Sequence, residues 1–280
     1  MGTRCGDIFS FMDRLAPPSL AENWDNVGLI LGSGEKAAGK ILLCLDVTSQ
    51  TVEEALKCGA QLIISHHPFI FKKIGRIHEE NFKGSLIYKL IKADISVFCA
   101  HTNLDVVECG VNEKLAERLE LNDITGLKKD SASASDNAAE NNRPTDANSM
   151  KTPGLGAVGY LKAGLKLEEF VAFVKEKLEV KNIRLIGHTA GDIRKVAVFC
   201  GSFDDDLEVV LRQKADILVT GDLKYHTAVD ALAMGMCIID AGHFNTEKVI
   251  LPALQERIEA EFPGVEVICS KLEADPFNTY

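Results

Sequence analysis

The sequence predicts an α/β protein of two similar α/β domains, with a dinuclear metal site in the cleft between them. Three observations carry that expectation. Short apolar runs alternate with amphipathic stretches. Histidines and carboxylates stand just after the apolar runs, and the same order of elements returns in the second half of the chain.

In chain order, residues 7–15 place Ile8, Phe9, Met12 and Leu15 at helical spacing, and Pro17-Pro18 ends that helix. Residues 24–32 are a turn entering a short strand, with a packed Trp24 as the favoured reading. Residues 41–46 form a buried strand that ends in Asp46. Thr48 and Ser49 can cap a helix facing the core with Val52, Ala55 and Leu56, and Gly59 stops it. A second strand over 60–64 runs into Ser65-His66-His67-Pro68. Pro68 holds His67 extended, which predicts two rings on opposite sides of the chain, one for each of two neighbouring ions. A loop over 69–81, a helix over 84–91 and a strand over 95–100 follow, and that strand delivers His101 and Asp105. Such alternation predicts a largely parallel sheet, with functional groups beyond the carboxyl ends of its strands.

Residues 130–152 carry too little apolar surface to offset ordering and read as a flexible linker. The glycines of residues 154–159 match a dinucleotide fingerprint in form only. No strand precedes them and no helix opens after them, so they predict a strand start that needs small residues. A helix follows with Leu167, Phe170, Val171, Val174 and Leu178 on one face, then a strand over 183–186. Residues 196–220 align without a gap on residues 41–65, and His243-x-Asn245-x-Glu247 echoes His101-x-Asn103-x-Asp105. Val249, Ile250, Leu254 and Ile258 give a further helical face that Pro252 is expected to kink. Residues 265–269 make a last strand. The expected domains are 1–129, completed by 248–280, and 153–247.

Composition narrows the function classes. With 31 basic against 41 acidic residues the formal charge is −10, which argues against a general nucleic-acid binder. No apolar run reaches membrane-spanning length, and the N-terminus has no signal pattern. Eight scattered cysteines without a Cys-x-x-Cys pattern are the usage of thiols in a reducing compartment, so a cytoplasmic protein is expected.

His66, His67, Asp105, His243 and Glu247 form a nitrogen-and-oxygen donor set with no thiolate. That set suits two divalent ions among zinc, iron, manganese, nickel and cobalt. Glu247, at the start of a helix, would bridge the ions, with His67 and Asp105 on one and His66 and His243 on the other. Two ions about 3.5–4 Å apart activate water near neutral pH and polarise a substrate oxygen. His101, Asp222, Lys224 and His226 are candidates for orientation or proton transfer, with His101 and His226 the catalytic candidates. His101 is equally well read as a structural histidine.

Residues 24–28 (Trp-Asp-Asn-Val-Gly), His66-His67-Pro68, residues 101–105, Thr220-Gly221-Asp222 and Gly242-His243-x-x-x-Glu247 together resemble the NIF-three-like family, the GTP cyclohydrolase I type two homologues. The resemblance runs over nearly the whole chain in the right order. It implies two similar α/β domains, a dinuclear site with the same five ligands, and a toroidal homohexamer. Some members carry an extra central domain, and the segment 130–152 stands in about that place. The expected function is a metal-dependent hydrolase on a small substrate, of nucleotide, cyclic amide or phosphoester class. The alternative is a non-enzymatic metal-binding or regulatory protein that presents a ring surface to partners.

Overall fold

The computed structural model describes residues 2–127, 154–203 and 207–278, so the expected linker over 130–152 lies outside the described residues. The chain divides into two compact units, Met1–Leu104 with Leu251–Pro276, and Asp105–Ile250 with Phe277–Tyr280.

The first unit is built on a five-stranded sheet. Strands β2 (Lys40–Cys44), β3 (Leu62–Ser65), β4 (Ser96–Cys99) and β11 (Glu266–Cys269) run parallel, while β1 (Gly28–Leu31) pairs antiparallel with β4, in the order β1-β4-β3-β2-β11. Every residue of β3 and β4 is buried, which is why these strands read as continuous apolar runs instead of alternating ones. Helix α2 (Ser49–Cys58) starts where Thr48 Oγ1 accepts from the Thr51 N–H at 3.2 Å, and stops at Gly59 in the left-handed region at φ 71°. Asn81 Oδ1 accepts from the Gly84 N–H at 2.6 Å and so caps α3 (Phe82–Lys92). Leu42, Val52, Ile63, Leu86, Leu90 and Val97 from these elements share one core.

Helix α1 spans Cys5–Leu15. Helix α10 spans Ile250–Glu261, and Pro252 falls in its first turn. The expected kink is therefore corrected: a proline there lacks only an N–H that has no helical acceptor in any case.

The second unit holds a six-stranded mixed sheet in the order β5-β6-β8-β9-β10-β7. Its centre, β8 (Ile193–Ser202), β9 (Ile217–Gly221) and β10 (Ile238–Asp240), is parallel. Strands β5 (Asn122–Gly126), β6 (Ala157–Leu165) and β7 (Arg184–Ile186) join antiparallel. The small residues expected to open a strand do so. Gly156 has φ 92°, and a Cβ there would stand 2.8 Å from the Val198 carbonyl oxygen. Helices α5 (Val111–Arg118), α6 (Leu167–Leu178), α7 (Leu207–Arg212), α8 (Tyr225–Ala233) and α9 (His243–Glu247) complete the unit. Between β4 and α5 the chain makes the short helix α4 (Thr102–Asp105). No described helix is long and apolar enough to cross a membrane.

Candidate metal centre

In the first unit three histidines gather beyond the carboxyl ends of β3 and β4. One nitrogen from each of His66, His67 and His101 lies within 4.8 Å of the others. Their ring centroids are separated by 5.0 Å (His66–His67), 5.1 Å (His66–His101) and 5.5 Å (His67–His101). The expectation of rings on opposite sides of the chain is thus overturned. Strand β3 ends at Ser65, and the Ser65 hydroxyl donates to the His67 carbonyl at 2.8 Å across a bend, so strand alternation no longer applies to the two rings.

Each ring is fixed through Nδ1. His66 Nδ1 donates to the Ala100 carbonyl at 2.9 Å. His67 Nδ1 lies 3.0 Å from Asp46 Oδ2, and His101 Nδ1 lies 2.9 Å from Asp25 Oδ1. A carbonyl or carboxylate can only accept, so Nδ1 carries the proton in each case and the lone pair resides on Nε2.

Asp25 was not singled out by sequence reasoning, although it stands in the Trp24-Asp25-Asn26 stretch. Its carboxylate also accepts from the Thr102 N–H at 3.1 Å and the Thr102 hydroxyl at 2.5 Å. Burial raises the Asp25 pKa, but the hydrogen bonds from His101, Thr102 and the Asn26 amide outweigh burial and hold it at about 2. The expected packing of Trp24 is corrected: its side chain is 58% exposed. The same turn commits its neighbouring residues to hydrogen bonds and leaves the indole at the surface.

In the second unit His243 and Glu247 stand one turn apart on α9, with Nε2 and Oε2 separated by 3.2 Å. The sequence expectation that Glu247 begins a helix is corrected: Glu247 is the last residue of α9, because the Gly242 carbonyl already accepts from the Thr246 N–H at 3.2 Å and the turn starts earlier. His243 Nδ1 lies 3.0 Å from Asp222 Oδ2. Backbone must approach closely for this. Gly201 has φ 64°, and a Cβ there would come within 2.3 Å of Glu247 Oε1 and 3.3 Å of His243 Nε2. A Cβ on Gly221 would meet the His243 backbone nitrogen at 2.6 Å.

Asp105 ends α4 and is buried. The Cys200 thiol donates to its Oδ1 at 3.4 Å, while Asn112 donates to the Asp105 carbonyl at 3.1 Å and accepts from the Cys200 N–H at 2.8 Å. Burial, then the charges of Asp105 and Glu247, push the Cys200 thiol far up, so it stays protonated and can donate. His226 lies exposed on α8, edge-on to Tyr225 at 5.3 Å, and Lys224 stands exposed at the start of that helix.

These residues fit a divalent cation. The donors are imidazole nitrogens of fixed tautomer and carboxylates, and Gly201 leaves beside Glu247 and His243 the space a Cβ would fill.

The chain has relatives among known proteins. Residues 3–276 match the family Duf34/NIF3 (NGG1p interacting factor 3). A Clostridium perfringens protein described as a GTP cyclohydrolase 1 type 2 homolog is 37% identical over 276 residues, covering 98% of this chain and 99% of that protein. A second so described, from Clostridium acetobutylicum, is 32% identical over 99% of both. Among solved structures, a hypothetical protein of Staphylococcus aureus aligns over 100% of each chain with a TM-score of 0.88 at 31% identity. A Bacillus cereus protein related to NIF3 aligns over 99% of each with a TM-score of 0.87 at 29% identity. Sequence and fold agree from end to end, and the chain belongs to the Duf34/NIF3 family.

Proposed function

We propose that the chain binds two divalent metal ions through His66, His67, Asp105, His243 and Glu247, and uses them to hydrolyse a small substrate. The observation that carries this reading is the shared tautomer. His66, His67 and His243 each commit Nδ1 to an oxygen acceptor, at 2.9, 3.0 and 3.0 Å, and so offer Nε2 as a ligand. Histidine ligands are oriented in this way, and the acceptor behind the ring raises its basicity.

Nitrogen and carboxylate donors suit zinc, iron, manganese, nickel or cobalt. Bound in a site with open positions, such ions supply an acidified water and an electrophile for a substrate oxygen. The chain's residues supply the frame. Asp46, the Ala100 carbonyl and Asp222 hold the three rings. Asn112 and Cys200 hold Asp105. His101, beside His66 and His67 and held by Asp25, is the first candidate to pass a proton, and exposed His226 is the second.

The proposal includes an origin by duplication and a ring-shaped homohexamer, the latter on resemblance alone. In support of duplication, Ile41 pairs with Leu62 and Val196 with Ile217, positions that correspond under the alignment of 41–65 on 196–220. Native mass spectrometry reads the assembly directly. The name carried by the relatives puts ring-opening of a nucleotide among the reactions to assay.

Elemental analysis of untagged protein against Glu247→Ala tests the site. The expected result is about two ions per chain, largely lost in the variant. Little or no metal in both overturns it. Fully loaded protein with no turnover on nucleotides, phosphoesters and amides removes the hydrolase step and leaves a metal-binding protein that presents a surface to partners.

A further inference from the structure

Beside the three-histidine group the first unit exposes aromatic rings where burial would be expected. Trp24 is 58% exposed and Phe71 53% exposed, and their rings stand edge-on with centroids 5.9 Å apart. The Trp24 ring centroid is 6.0 Å from that of His101. Exposing a large aromatic surface forgoes the stabilisation its burial would bring, so the position needs a reason.

Looseness is not the reason, because residues before and after Trp24 are hydrogen-bonded to other elements. Asp25 accepts from Thr102 and His101. The Glu22 N–H donates to Thr102 Oγ1 at 3.0 Å, and Asn26 Nδ2 donates to the Ile70 carbonyl at 2.6 Å. That last bond ties the turn bearing Trp24 to the loop bearing Phe71. The indole therefore projects from a hydrogen-bonded turn, beside the His101 ring. Immediately after Phe71 come Lys72, Lys73 and Arg76, all exposed, on a chain whose formal charge is −10. An aromatic ledge and a run of cations against an acidic background complement a ligand that is both flat and anionic.

We propose that Trp24 and Phe71 form the stacking wall of the substrate site, and that the substrate is a planar heteroaromatic ring carrying a phosphate or carboxylate that Lys72, Lys73 and Arg76 receive. The assignment rests on the metal-site reading for its place next to the chemistry, and names the substrate class of that site. Stacking orients the ring against the histidine group while the cations hold its charged end.

Trp24 is the single tryptophan of the chain, so its fluorescence reports this position alone. The probes are AMP, UMP and nicotinamide mononucleotide, which present a purine, a pyrimidine and a pyridine, with ribose 5-phosphate as the anion without a ring. At least one mononucleotide is expected to quench Trp24 saturably, and ribose 5-phosphate is not. By calorimetry Trp24→Leu should weaken that mononucleotide about tenfold or more, and Trp24→Phe should recover most of the loss. Lys72→Gln/Lys73→Gln/Arg76→Gln should weaken the mononucleotide but leave its nucleoside unchanged. Failure of all three mononucleotides to quench saturably, or equal affinity in Trp24→Leu, overturns the proposal. Metal content is measured in parallel. Metal-loaded protein without quenching sinks the stacking wall alone, whereas protein without metal sinks the site it was to serve.

Discussion

Asp25 shows how one side chain can set the geometry of another element. Its carboxylate joins the turn before β1 to His101 and to the first residue of α4. Asp25→Ala leaves the Thr102 N–H and the His101 ring without that acceptor, and should lower stability by about 1–3 kcal/mol in urea titrations. The pH dependence has a definite sign. The folded pKa is depressed from 3.8 to about 2, so the contribution is present above the unfolded value and is lost as pH falls through the interval between the two. Allowing for solvent screening, about 1–2 kcal/mol should vanish between about pH 4 and pH 2 in the wild type and be missing from Asp25→Ala. An identical acid limb in both proteins would refute this.

The candidate ligand residues were legible in the sequence because histidines and carboxylates stand directly after apolar runs. Asp25 was not, because its partners are 76 and 77 residues away along the chain. Nor was the meeting of the His66 and His67 rings. Local backbone preference at Pro68 argued for divergence, and the bend closed by Ser65 decided otherwise.

At the scale of elements, the segment after β11 acts as a clamp. Glu273 accepts from the Leu45 N–H at 2.8 Å and the Asp46 N–H at 2.5 Å, just beyond the end of β2. The His67 N–H in turn donates to the Leu45 carbonyl at 2.8 Å, and Asp46 holds the His67 ring. Glu273→Ala deprives two amides of their acceptor. Faster hydrogen exchange at Leu45 and Asp46 is expected, with a loss of about 1–3 kcal/mol; unchanged protection would show the clamp to be incidental. Most helices and strands were legible from apolar spacing and caps, as at Thr48 and Gly59. Strand β5 was not. Asn122, Asp123 and Gly126 look like turn residues, and pairing with β6 makes a strand of them, helped by the small Gly159 whose Cβ would come within 2.9 Å of the Asn122 carbonyl.

At the scale of the whole molecule, the eight cysteines are all free thiols. Cys5, Cys44, Cys99, Cys200 and Cys237 are buried, and burial, joined by the Glu259 charge, lifts the partly exposed Cys269 to about 11. A thiol reagent at mild alkaline pH should therefore label Cys58 and Cys109 first and the remainder only on unfolding, with a melting temperature indifferent to reductant. Rapid labelling of Cys44 or Cys200 would contradict the packing around both sheets. The first unit is also discontinuous, since β11 returns from the far end of the chain to pair with β2. On the ribosome the second unit can close as soon as its contiguous stretch has emerged, while β2, with Ile41, Leu42 and Leu43, waits with one edge bare. A nascent chain in that interval displays an apolar strand edge, the form most open to mispairing. Pairing of β11 with β2 is thus the step that covers this edge and removes the risk.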